Sequence, residues 1–309
     1  MPRPPHGGRA GYTLIELMIA IVVGVLVLSS ATSLALTTFR SMSGLQMRDG
    51  IDRNARFVGL TLQRDLAETG VNLESLADFG TLAVWNDSVS ILRVPYDPGP
   101  APIYPLSVAN PPNNGQCGLT CVEIQTNGTP PALAAGDVAR LQLNQQRRLI
   151  LINGVTAGAN NAYRVSFAGL PIVIHHQSGM LTGLNSTNAA SAVVQKVQPV
   201  IYWRQGTQLM RATRLNANGT FAGEVLADGV QTFAATLVFT DGDEAASANP
   251  SDADGTNDYN DIAGIRVRAV LQSERTDARI NGGQPLSRPY EWFVAPRNLI
   301  YERNRVAGP

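Results

Sequence analysis

Between Leu17 and Phe39 the chain passes through 23 consecutive positions without a charged side chain, and Leu17–Leu28 reads LMIAIVVGVLVL with no polar side chain at all. At a helical rise of about 1.5 Å per residue such a run spans ~35 Å, enough for the ~30 Å hydrocarbon core of a bilayer. A cleaved secretory signal carries an apolar stretch of only ~7–15 residues that ends at a small-x-small site. Here the small residues Ser29, Ser30 and Ala31 lie inside the run. The pattern predicts a membrane-spanning half-helix over 12–39, preceded by a short leader, 1–11. From Arg40 the pattern changes. Leu45, Ile51, Ala55, Val58, Leu62 and Leu66 recur mostly three and four positions apart, which places them on one stripe of an amphipathic helix over 40–70. Arg48, Asp49, Asp52, Arg53, Arg56, Arg64, Asp65 and Glu68 fill the remainder, and Arg64 and Glu68 have the spacing of a helical ion pair. Gly44, Gly50 and Gly59 each weaken the helix and offer places to bend or melt locally; Gly70 is a natural stop.

Beyond Gly70 the period falls to that of strands. Val89–Val94, Val122–Gln125, Arg148–Ile152, Tyr163–Phe167, Pro171–His176, Val200–Arg204, Gln208–Arg214, Phe233–Phe239 and Ile262–Leu271 are short β-type runs, several of them alternating apolar and polar positions. Arg204-Gln205-Gly206-Thr207 reads as a hairpin turn and Asn216-Ala217-Asn218-Gly219 as another. The stretch from Pro95 to Pro131, rich in Pro, Gly and Asn, reads as a long surface excursion. The expected fold is α+β: a long N-terminal helix, half membrane-borne and half amphipathic, packed on an antiparallel β-rich head over 71–309.

The 24 basic and 24 acidic residues cancel, and only 16% of the chain is charged against 44% hydrophobic. No basic excess exists to displace counterions from a polyanion, so nucleic acid is not an expected partner. A disordered chain would be poor in apolar residues and strongly charged.

The front edge of the apolar run carries the most information. The leader MPRPPHGGRAG holds Arg3 and Arg9 and no acid, consistent with a cytoplasmic amino terminus, although Arg40 and Arg48 blunt the asymmetry across the span. A carboxylate, Glu16, then stands at the start of the helix, where an intramembrane acid is costly and marks function. Gly11-Tyr12-Thr13-Leu14-Ile15-Glu16-Leu17 resembles the G-F-T-L-x-E signal of type IV pilins and pseudopilins, with Tyr12 in place of the usual Phe. The resemblance implies cleavage after Gly11 by a membrane prepilin peptidase and methylation of the new amino group on Tyr12. It also implies that Glu16 meets the positive amino terminus of a neighbouring subunit and sets its register in the assembly.

Two further stretches narrow the resemblance. Asn54-Ala55-Arg56-Phe57 with Leu62-Gln63-Arg64-Asp65-Leu66-Ala67-Glu68-Thr69-Gly70 resembles the pattern after the spine helix of PilW-like minor pilins. Ile201-Tyr202-Trp203-Arg204, Leu209-Met210-Arg211, Leu226-Ala227-Asp228-Gly229-Val230, Ile265–Leu271 and Phe293-Val294-Ala295-Pro296-Arg297-Asn298 follow a procession similar to that of PilW-like proteins and of the J-type pseudopilins of type II secretion. The fold implied is pilin-like, and the work implied is structural, not enzymatic: a subunit of an initiating or tip complex of a type IV pilus. The alternatives are a type II secretion minor pseudopilin and a pilus-tip adhesin using residues 71–199, which match nothing. The implied partners are the prepilin peptidase, other minor and major pilins, the inner-membrane assembly platform and membrane lipid. The implied location is the bacterial inner membrane, single-pass with the head in the periplasm, and then the pilus at the cell surface.

The remaining candidate chemistry is sparse. Cys117 and Cys121 are the only cysteines, and in an exported head they are expected to form a disulfide; neither a set of metal ligands nor a histidine for a catalytic thiol stands beside them in sequence. The acidic stretch Asp241–Asp261 leaves two readings open. Asp252, Asp254 and Asp258 could supply oxygen ligands to calcium, or the stretch is a solvated hairpin loop, since the EF-hand spacing is incomplete and lacks its closing glutamate. No other cofactor is expected. His175-His176 followed by Ser178 lacks a nucleophile elbow, and adjacent strand residues point to opposite faces. Neither a phosphate-binding glycine loop nor a zinc signature is present.

Overall fold

The computed structural model describes residues 12–76, 78–85, 87–96, 99–108, 116–144, 146–169, 183–184, 189–249, 257–278 and 280–300. Helix α1 runs unbroken from Leu14 to Ala67. At about 1.5 Å per residue its 54 residues extend ~80 Å. It is the one helix among the described residues that is long and apolar enough to cross a membrane, and its most apolar window has no buried residue.

The strands are β1 Leu82–Trp85, β2 Ser88–Arg93, β3 Ile103–Pro105, β4 Cys121–Gln125, β5 Val138–Leu143, β6 Gln146–Ala157, β7 Ala162–Gly169, β8 Ala192–Gln205, β9 Gln208–Leu215, β10 Phe221–Asp228, β11 Val230–Phe239, β12 Glu244–Ala245, β13 Ile262–Gln272 and β14 Ser287–Val294. They form two antiparallel sheets. The larger has ten strands, its main path β1-β2-β8-β5-β6-β7-β4, with β9 and β10 continuing from β8 and β3 pairing β8; the smaller is β12-β11-β13-β14.

The chain folds as two compact units, Met1–Gly50 with Ser273–Leu286, and Ile51–Gln272 with Ser287–Pro309. In the first, the ends of the Ser273–Leu286 segment close on each other: Ser273 N–H donates to the Leu286 carbonyl at 2.8 Å, and Leu286 N–H to Ser273 Oγ at 3.0 Å. Five hydroxyls of the apolar run are satisfied within the helix. Ser29, Ser30, Thr32, Thr37 and Thr38 each donate to the carbonyl four residues earlier, at 2.8–2.9 Å. In hydrocarbon, where water offers no partner, this removes most of the cost of those polar groups.

In the second unit β8 organises the large sheet. Its first half pairs with β5 on one side and β3 on the other; its second half pairs with β9 and β2. On the β5/β9 side the pairing lapses between Val197 and Ile201, and Pro199 sits in that lapse, where its missing N–H leaves no bond unmade. Strands β5 and β6 are buried on both faces. Ala139, Leu141, Ile150 and Ile152 enter one core with Val122, Ile124, Val165 and Phe167; Val138, Leu149 and Leu151 enter another with Phe79, Leu92 and Ile201. The β8–β9 hairpin turns at Gly206-Thr207 with Gly206 at φ +62°, and Asn216-Ala217-Asn218-Gly219 joins β9 to β10, as the sequence predicts. On the small sheet the side chains of Arg266 and Arg268 interleave with Glu244 and Glu291, Arg266 lying 2.8 Å from Glu244 and 2.5 Å from Glu291.

Several expectations change. Within the Pro95–Pro131 stretch the described residues add a strand the pattern did not predict, β3, beside the expected β4, and both join the large sheet. Pro171–His176 lies outside the described residues. The helix stripe holds for Ile51, Ala55, Val58, Leu62 and Leu66, each no more than 2% exposed, but Leu45 is 63% exposed while Met47 is buried. Asp65, expected among the solvated residues, is buried. Gly59 is not a bending point within the continuous helix; a Cβ there would run into the indole of Trp292, and glycine is what lets β14 approach.

Candidate functional site

The amino-terminal motif forms a capping box. Thr13 is the N-cap of α1 and Glu16 the third helical residue. The Glu16 carboxylate accepts from Thr13 N–H at 3.0 Å and from the Thr13 hydroxyl at 3.1 Å, while Glu16 N–H donates to Thr13 Oγ1 at 3.3 Å. Two donors that a helix start leaves orphaned are thereby satisfied, and the anion sits at the positive end of the helix dipole. The arrangement needs threonine and glutamate three apart, which is the spacing inside the Tyr12–Leu17 motif. Tyr12 is 90% exposed just ahead of the cap. Gly11 lies outside the described residues.

A second constellation fixes the other end of the helix to the sheets. Asp65, in the stripe between Leu62 and Leu66, accepts hydrogen bonds from the Tyr202 hydroxyl of β8 and from Arg211 of β9, whose Nε is 2.8 Å and Nη2 3.2 Å away. Burial, and then the bond to Asp65, pushes the Tyr202 phenol up; the bond to Asp65 pushes the Arg211 guanidinium up. One turn later Glu68 forms an ion pair with Arg93 of β2. The helix ends at Ala67, and the Asn298 amide donates to the carbonyls of Ala67 at 3.0 Å and Thr69 at 3.2 Å, groups a helix end would leave bare. Gly70 follows at φ +73° and its N–H donates to the Leu92 carbonyl at 2.9 Å. Nearer the start of this segment, Asp52 accepts two bonds from Arg288 Nη1, at 2.7 and 2.9 Å, and one from the Tyr290 hydroxyl. Burial, with the bond to Asp52, moves the Tyr290 phenol up to about 12. Tyr290 stacks on Trp292, which covers Gly59.

The residues that carry the PilW-like resemblance therefore meet in space: Asp65, Glu68 and Gly70 from the helix end, Tyr202 and Arg211 from the β8–β9 hairpin, and Asn298 from the carboxyl-terminal side. Sequence reasoning missed Asp52, Arg288, Tyr290 and the Gly59–Trp292 contact. The signal for Asp65 was available, since it lies seven residues past Val58, on the buried stripe.

Elsewhere, Cys117 and Cys121 are joined by a disulfide, closing a small loop at the start of β4. Asp252, Asp254, His175, His176 and Ser178 lie outside the described residues. Asp258 is described, in a turn in which Asp261 N–H donates to its carbonyl at 3.2 Å. Among the described residues no group of three or more His, Cys, Asp or Glu is placed to hold a metal ion.

A capped apolar helix beginning at a Thr-x-x-Glu box and continuing into an antiparallel β-rich head fits a membrane-anchored protein of type IV pilin-like build. In agreement, residues 7–32 match the prokaryotic N-terminal methylation motif. That motif suggests a type IV pilin or pseudopilin, and implies processing by a prepilin peptidase and assembly with other pilins. Neither the search of curated proteins nor that of solved structures finds a match to the chain.

Proposed function

We propose that the chain is a minor pilin of the PilW type, a structural subunit taking part in the initiating or tip complex of a type IV pilus. The observation that supports this reading above the general pilin-like class is the convergence of Asp65, Tyr202, Arg211 and Asn298, drawn from separate stretches of the resemblance, on the last turns of α1. In this reading the leader through Gly11 is removed on the cytoplasmic side, Tyr12 becomes the methylated amino terminus, and the head is carried in the periplasm and then on the pilus. Freed from the leader, the Tyr12 ammonium stands just outside the capping box. The Glu16 carboxylate, held by Thr13, presents its charge to the ammonium of a neighbouring subunit, an attraction of several kcal/mol at ~4 Å and effective ε ≈ 20 before desolvation.

Mass spectrometry of the mature protein tests the processing: the expected product begins at N-methyl-Tyr12, and an intact leader refutes it. Glu16→Ala is expected to be cleaved normally at Gly11 but excluded from the assembly. Deletion separates the systems. Loss of twitching with intact protein secretion supports the pilus, whereas loss of secretion with normal pili assigns the chain to a type II pseudopilus. Pili that assemble normally but no longer retain a surface ligand assign it to tip adhesion.

A further inference from the structure

The larger sheet buries two guanidinium groups on one face, and among the described residues one of them has a carboxylate partner, Glu74 from the segment between α1 and β1. Arg147 of β6 donates to the Glu74 carbonyl and lies 2.8 Å from the Glu74 carboxylate, with its guanidinium over the Phe79 ring. Arg140 of β5 is 8% exposed, and its hydrogen bond runs from Nη2 to Gln195 Oε1 at 2.6 Å; its buried Nε has no partner among the described residues. Gln195 is held in turn, donating to the Ala101 carbonyl at 3.0 Å. Burial, and then the charge of Arg147, push the Arg140 guanidinium down to about 10. A buried cation facing an amide in place of a carboxylate is a costly arrangement, and native proteins rarely keep one without a partner.

Arg140 and Gln195 line a cavity of about 520 Å³, together with Asn72 and the segment Pro100–Ile103. Register explains the grouping: Gln195 of β8 stands opposite Arg140 of β5 on one side and Ile103 of β3 on the other, so the three lie in one row across the sheet. The volume suits a small organic ligand. The lining is two prolines, an alanine and an isoleucine beside one fixed cation and two amides.

We propose that this cavity is a binding site for a monocarboxylate with an aliphatic body, the carboxylate pairing with Arg140 and the body lying against Pro100–Ile103. A planar guanidinium fits a carboxylate through two parallel bonds. Charge selects the monoanion: Arg147 and Glu74 already cancel, so one negative charge neutralises the site, whereas a phosphate dianion would leave it overcharged. The carboxylate could belong to a free acid or to the carboxyl terminus of a peptide chain; the chemistry is shared.

The test is titration of the full-length, detergent-solubilised chain with N-acetyl-leucine, its uncharged amide, inorganic phosphate, and a short peptide ending in leucine, followed by saturation-transfer NMR. The expected result is saturable binding of the acid, at least about tenfold weaker binding of the amide, and no displacement by equimolar phosphate. A peptide tighter than the free acid identifies a chain terminus as the source; a weaker one identifies a small acid. Arg140→Met is expected to lose binding by at least about tenfold. Gln195→Glu offers Arg140 an internal carboxylate, so it is expected to raise the thermal midpoint while abolishing binding, and it reports even where the Met variant fails to fold. Equal binding of acid and amide, displacement by phosphate, no binding to the wild type, or unchanged affinity in Gln195→Glu would each overturn the proposal.

Discussion

Removing the carboxylate of Asp65 exposes how the helix is attached to the sheet. In Asp65→Ala the Tyr202 hydroxyl loses its acceptor in a site where Tyr202 has no exposure, and Arg211, its side chain 20% exposed, loses both bonds to the carboxylate. Breaking a buried pair by removing one partner costs about 3–5 kcal/mol. Arg211 reaches partial hydration and keeps Glu224 at 3.8 Å, which places the expected loss near the lower bound, about 3 kcal/mol. Tyr202→Phe removes a single hydrogen bond and is expected to cost about 1–2 kcal/mol. Because Asp65 and Arg211 share their bonds, Asp65→Ala with Arg211→Met is expected to cost less than the two separately, by about 1 kcal/mol or more. The assay is urea denaturation of the full chain in detergent, followed by the fluorescence of its three tryptophans, Trp85, Trp203 and Trp292, with Trp203 next to Tyr202 in sequence. A loss below about 1 kcal/mol for Asp65→Ala, or strict additivity with Arg211→Met, refutes the latch.

Gly59→Ala gains helix propensity of about 1 kcal/mol but forces a methyl onto Trp292, and overpacking costs about 1–3 kcal/mol. A net loss with altered tryptophan emission is expected, and an unchanged spectrum with higher stability would count against the close contact. Asn298→Ala strips two carbonyls of their donor and is expected to cost about 1–2 kcal/mol, with faster amide exchange confined to the last turn of α1 and residues 68–70. Tyr202 and Tyr290 titrate high in the folded chain, so their contribution is complete below the unfolded phenol value of about 10 and is lost as pH rises above it, for Tyr290 toward about 12. In tyrosinate absorbance Tyr202 and Tyr290 should appear late, and Tyr290→Phe should remove part of that late absorbance.

Much of the architecture is legible in the sequence because its signals are periodic. The 23-residue uncharged run, the stripe from Ile51 to Leu66 and the alternating runs that became β8, β9, β11 and β13 each follow from one-sided or lipid-facing burial. The missed strands share physical reasons. In β5, VARLQL, Arg140 and Gln142 stand where an alternating pattern reads as solvated, yet Arg140 is buried beneath the Pro100–Ile103 segment's cavity lining. In β14, SRPYEWFV, Pro289 argues against a strand, and the strand is tolerated because it lies at the edge of its sheet. Asp65 illustrates the remaining gap: a charged residue beside the apolar stripe reads as solvated, and the partners that make its burial possible are 137 and 146 residues away.

The segment from Ile51 to Ala67 carries two demands at once, and its composition follows from them. One face must hold the sheets, which it does with Ile51, Ala55, Val58, Leu62 and Leu66 and the polar anchors Asp52 and Asp65. Those anchors add direction that apolar contacts lack, because an aspartate that must meet Arg211 and another that must meet Arg288 cannot both be satisfied after a slip of one turn. The opposite face keeps Phe57 at 54% and Leu60 at 67% exposure, in a segment otherwise well supplied with arginine and glutamine on that side. Phe57 and Leu60 stand three apart, so they are neighbours on that face, and at this exposure they do little to pack the head. Their retention, on the same helix whose Thr13–Glu16 box begins an apolar run with no buried residue, matches a chain whose helix is completed by neighbouring subunits.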